Sequence, residues 1–104
     1  MKNKTSVSHD EVMVKMLRKD RQFAAEYLNA AIEDNEEPGV LLIALRQVAR
    51  AHGVAKVAKV AGIERESLYR ALSARGNPRL STLQAVMRAL GLTLTVEPKR
   101  KKAG

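Results

Sequence analysis

The stretch VAKVAKVAGIERESLYRALS, from Val54 to Ser73, decides how this chain folds. Val54, Val57, Ala58 and Ala61 recur at the three-to-four-residue period of one helix face. Gly62 then interrupts the pattern, and glycine alone takes a positive φ without steric penalty. After Ile63 the period resumes at Leu68, Ala71 and Leu72. The spacing predicts two short helices joined by a tight turn, with small Ala58 where the second helix crosses the first. Glu64 stands where a short polar cap is usual. Its charge favours the positive helix start, but its length caps it less well. The open face of the second helix then holds Arg65, Glu66, Tyr69, Arg70 and Ser73.

Further helices flank this pair. Towards the N-terminus, Val12, Met13, Met16 and Leu17 have helical spacing, as do Phe23, Ala24, Tyr27, Leu28, Ala31 and Ile32 after a predicted cap at Asp20. Pro38 suits the first turn of the next helix. That helix turns Leu41, Leu42, Leu45, Val48 and Ala49 inward and ends in a left-handed cap at Gly53. Beyond Ser73, Gly76 and the Asn77-Pro78 pair mark a loop. Ser81 is the predicted cap of the last helix, with Gln84 completing a capping box. Leu83, Val86, Met87 and Leu90 form its buried stripe, and Gly91 ends it. Leu92–Val96 alternates apolar and polar residues, the mark of a short strand. One strand cannot satisfy its own backbone, so it needs a partner from a second copy or another protein. Residues 1–9 and the basic tail 98–104 are expected to be disordered.

The 104 residues fit one domain, with an N-terminal helical region over 10–37 and the helix-pair domain with its strand over 38–97. The fold class is all-α with five or six helices. There are no cysteines, which excludes disulfides and thiolate metal sites. No apolar run reaches the roughly 20 residues of a membrane span, and the N-terminus lacks a secretory apolar stretch. A cytoplasmic protein is expected. With one Phe and two Tyr, there are too few aromatics for a single-strand stacking platform. His9 and His52 are isolated, so no metal or other cofactor is expected, and no nucleophile–base set indicates an enzyme.

The net charge of +8 is unevenly placed. Residues 1–37 hold six Lys/Arg and eight Asp/Glu, a net of −2, whereas 38–104 hold thirteen and three, a net of +10. The basic part fits a polyanion, most simply nucleic acid. Small Ala58, Gly62 four residues on, and apolar Ile63 together match a DNA-binding helix-turn-helix, whose second helix lies in the major groove. Arg65, Tyr69 and Arg70 are the base-side candidates, with Ser73 beside them. Glu66 accepts from cytosine or orients a neighbouring arginine. Lys56, Arg75, Asn77 and Arg79 suit phosphate contacts. At the last helix start, Arg79, Ser81 and Thr82 join backbone N–H groups aimed at an anion. Lys59, Arg46, Arg50 and Arg88 read as ordinary exposed charges. The acidic turn EDNEE reads as solvated, or as a face for a basic partner. The competing structural reading is a helical hairpin whose basic face is merely solvated, or meets an acidic protein.

Residues about 40–96 resemble the Cro-type helix-turn-helix regulators. More narrowly, EYLNAAIED and the stretch from Ala44 to Val96, with GNPRLSTL and ALGL within it, resemble the addiction-module antidotes, the antitoxins of small toxin–antitoxin operons. The resemblance implies a Cro/lambda-repressor-like fold and a homodimer that binds operator DNA in its own promoter. It also implies a cognate toxin, similar to the RelE-type messenger-RNA-cleaving enzymes, neutralised by binding. The alternative is a stand-alone Cro-type repressor without a toxin.

Overall fold

A computed structural model describes residues 9–34 and 36–99. Of the disorder expected over 1–9 and 98–104, residues 1–8 and 100–104 lie outside the described residues, whereas His9 opens the first helix and 98–99 carry no regular structure. Six helices follow in order: α1 (His9–Lys19), α2 (Arg21–Asp34), α3 (Pro38–His52), α4 (Val54–Ala61), α5 (Arg65–Ala71) and α6 (Leu80–Ala89). The fold is all-helical. Among the described residues there is no strand, and 92–99 carry no regular structure. The expected strand is therefore not formed in the single chain, where 93–99 make no backbone hydrogen bond among the described residues.

Local chemistry sets the boundaries. Asp20 caps α2 as its spacing predicts, its carboxylate accepting from the Phe23 N–H at 3.2 Å. Pro38 sits in the first turn of α3, where its missing N–H costs no helical bond. Gly53 has φ 99° and ψ 107°, so it ends α3 with positive φ but outside the left-handed helical region expected of it. The α6 expectation is corrected by two residues. Arg79, with extended φ −67° and ψ 157°, is the N-cap and makes no side-chain cap bond. Ser81 lies inside the first turn, so the capping box does not form. Pro78 keeps Asn77 before it out of the helical region, and the helix opens two residues after it, with the Leu83 N–H donating to the Arg79 carbonyl at 3.0 Å.

α3 packs against α1, α2 and α4, and α4 also packs against α5 and α6. Leu45, Val48, Val57, Leu68, Leu72 and Val86 are all under 2 % exposed and belong to one core with Leu17, Ala24 and Leu28. Burying each large aliphatic side chain contributes roughly 1.5–3 kcal/mol. Three predicted core residues are not covered: Val12 and Met16 on α1 and Ile32 on α2 are 43–49 % exposed. Helical period shows that these residues share a face with core residues. It does not show that a further element covers them.

Candidate nucleic-acid interface

The turn between α4 and α5 is built by backbone bonds. The Ile63 N–H donates to the Ala58 carbonyl at 2.9 Å, and the Gly62 N–H to the Lys59 carbonyl at 3.2 Å. These satisfy carbonyls that the end of α4 would otherwise leave open. They require Gly62 in the left-handed region, at φ 73° and ψ 32°. Ala58 is 3 % exposed, which fits a site where α5 approaches too closely for a larger side chain. α5 starts at Arg65 with Glu64 as an extended N-cap that makes no side-chain bond, as its length predicts.

Across this turn α5 divides by face. Leu68 and Leu72 are buried in the core, while Arg65, Glu66 and Arg70 are exposed. Tyr69 is half-buried against the core, with the Arg46 guanidinium 5.2 Å from its ring centroid. The outward aim expected for Tyr69 is thus only partial, since only part of its surface is open. Arg46 is half-buried and acts as a support rather than an ordinary exposed charge. Local spacing did not signal this pair, because the two residues are far apart in the chain. Arg70 donates from Nη2 to Ser67 Oγ at 3.3 Å, so its partner among the described residues is a serine rather than Glu66. Ser73 is half-buried and donates its hydroxyl to the Arg70 carbonyl at 2.9 Å, closing the end of α5.

The loop after α5 turns tightly. The Gly76 N–H donates to the Ser73 carbonyl at 2.9 Å. A Cβ on Gly76 would lie 2.2 Å from the Ala71 carbonyl oxygen, so only glycine lets the loop pass so close. Arg75, Asn77, Arg79 and Ser81 are exposed along this loop and the first turn of α6, Thr82 is half-buried, and Lys56 is exposed on α4. Lys56, Arg65, Arg70, Arg75 and Arg79 form no ion pair among the described residues. The helices and the connecting loop thus place five uncompensated cations and several hydrogen-bonding groups between α4 and the start of α6. Such a set can bind a polyanion. Among the described residues no three His, Asp or Glu side chains come together to hold a metal, and no helix is long and apolar enough to cross a membrane.

The profile of a family described as "Probable addiction module antidote protein" matches residues 9–98. The chain belongs to that family. The match takes in all six helices and every candidate residue named above. The chain is also 47 % identical over 75 residues to an uncharacterized protein of Haemophilus influenzae, covering 71 % of this chain and 75 % of the relative. No solved structure matches it. Membership of an antidote family implies a toxin partner.

Proposed function

We propose that this antidote binds operator DNA as a homodimer through a Cro-type helix-turn-helix formed by α4 and α5, represses its own operon, and neutralises a RelE-like toxin by binding it. The observation that carries the reading is the division of α5. Leu68 and Leu72 fix the helix to the core, and Arg65 and Arg70 stand exposed on its other side. A helix anchored this way presents its residues to a groove without reorganising.

In this reading Arg65 and Arg70 read base edges, since a guanidinium spans both major-groove acceptors of guanine. Glu66 accepts from a cytosine amino group. Tyr69, held by Arg46, offers its ring edge and hydroxyl. Ser73 has committed its proton to the Arg70 carbonyl, so it approaches DNA as an acceptor. Lys56, Arg75, Asn77 and Arg79 set register on phosphates. The first turn of α6 lacks a side-chain cap and adds open N–H groups beside Ser81 and Thr82 for one more phosphate. Two copies pair through 92–96, whose alternation, with a backbone unpartnered from Thr93 onward among the described residues, favours strand addition. Repression needs only occupancy of the promoter, and no catalytic step is involved.

The test is a titration of a labelled fragment from the chain's own upstream region, against a shuffled fragment, at near-physiological salt. The proposal predicts binding to the upstream fragment roughly a thousandfold or more tighter. Equal affinity for both fragments would overturn it.

A further inference from the structure

A groove of about 780 Å³ runs between α2 and α3, walled by Ala30, Ala31, Val40 and Ile43 and reaching Ala74 beyond α5. Ile43 is 36 % exposed on its wall. The polar side chains within it offer little to orient a small ligand, because the Tyr27 hydroxyl already donates to the Gln47 side-chain carbonyl. Its surroundings are acidic. Residues 20–45 hold one Lys/Arg and six Asp/Glu, a net of −5 inside a chain of +8. Glu37 lines the groove, and Glu33 lies one turn beyond Ala30 on α2. The exposed carboxylates of Glu33, Glu36 and Glu37 have no ion pair or hydrogen bond among the described residues.

This combination selects an occupant. DNA is repelled by the carboxylates, and a second copy using the same face would bring like charges together. A segment of opposite charge gains at both levels. We infer that the α2–α3 groove receives a basic, amphipathic segment of a partner protein, its apolar side chains against Ile43 and Ala31 and its Lys/Arg groups at Glu33, Glu36 and Glu37. The inference rests on the antidote reading, in which that partner is the toxin. The α2–α3 groove is then the neutralising surface, distinct from the basic face of α5.

The experiment follows amide resonances of the full chain during addition of three synthetic peptides of equal length. The first is a Leu/Lys amphipathic helix, the second the same helix with Glu for Lys, and the third a scramble of the first that destroys its apolar face. The Leu/Lys helix should saturably shift Ala30, Ala31, Val40, Ile43 and Gln47, and the other two should not. Ile43→Arg, and separately the triple charge reversal Glu33→Lys, Glu36→Lys, Glu37→Lys, should each weaken it about tenfold or more. All four sites are exposed, so the fold should survive, which an unchanged melting temperature would verify. Shifts scattered over the chain, or affinities unchanged in both variants, would overturn the groove as the site. The antidote reading is tested apart, by growth rescue of cells expressing the product of the neighbouring reading frame. Absence of rescue by the wild-type chain would contradict that reading whatever the peptides do.

Discussion

The α4–α5 pair and the α1–α2 pair use the same alphabet of small and aliphatic residues, yet they differ in how their cores close and in the charge around them. In the first, Val57, Ala58, Leu68 and Leu72 are buried around a turn fixed by two backbone bonds, and only polar groups of the pair's second helix stand fully open. In the second, Leu17, Ala24 and Leu28 reach the core, but Val12, Met16 and Ile32 remain substantially exposed and the flanking charge is acidic. The first pair leaves Val60 on α4 63 % exposed and presents a charged face on α5. The second leaves apolar residues open on both of its helices. The contrast sets a basic open face on α5 against an acidic flank with exposed apolar residues on α1 and α2.

The largest expected effect tests that contrast in the cores. Leu68→Ala removes a side chain 1 % exposed and should cost about 2–5 kcal/mol by denaturant unfolding. Met16→Ala, at a side chain 43 % exposed, should cost under about 1 kcal/mol. Equal costs would erase the distinction.

Gly62→Val comes next. Nothing lies within 4 Å of an added Cβ there, so strain arises from φ 73° alone. A β-branched residue in that conformation should lose about 2 kcal/mol, and Gly62→Asn should lose less. An unchanged melting temperature for the valine variant would mean that the turn does not require its left-handed residue.

Arg70→Ala should then relax preference at one base pair by about 1–3 kcal/mol, whereas Lys56→Ala should weaken all DNA alike and reduce the salt slope. Uniform weakening by Arg70→Ala would move it to the phosphate class.

The smallest effect lies in the N-terminal pair. Burial, and then the negative charge of Asp10, raise the Tyr27 phenol above its ordinary value. The folded state therefore favours the neutral ring more than the unfolded state does. That contribution is complete below the ordinary tyrosine value of about 10 and is lost as pH rises through the folded value. Tyr27→Phe should flatten the alkaline fall in melting temperature. A fall as steep as in the wild-type chain would show that another group titrates there.

The α4–α5 unit was legible in the sequence because its determinants are local. Gly62, Ala58, Leu68 and Leu72 fall at offsets set by helix geometry, and Asp20 and Pro38 act on residues within one turn. The features that were not legible depend on distant contacts. Arg46 meets Tyr69, and Tyr27 meets Gln47, only after α2, α3 and α5 have packed. The exposure of Val12, Met16 and Ile32 depends on which elements cover them, and periodicity carries no information about that. The cap of α6 lies at Arg79 rather than Ser81, although Arg79 makes no side-chain cap bond, so the capping preference of Ser81 did not set the boundary. Leu92–Val96 has the pattern of a strand, but the Leu92 N–H donates to the Met87 carbonyl and 93–96 form no backbone hydrogen bond among the described residues, because alternation alone supplies no pairing partner.

The most direct test of the central claim is a map of amide shifts in the full chain on adding the upstream DNA duplex at near-physiological salt. The account predicts shifts at Arg65–Ser73 and from Arg75 to Thr82, with Ala30, Ala31 and Ile43 unmoved. Shifts centred on α2 and α3, with Arg65 and Arg70 unmoved, would contradict it.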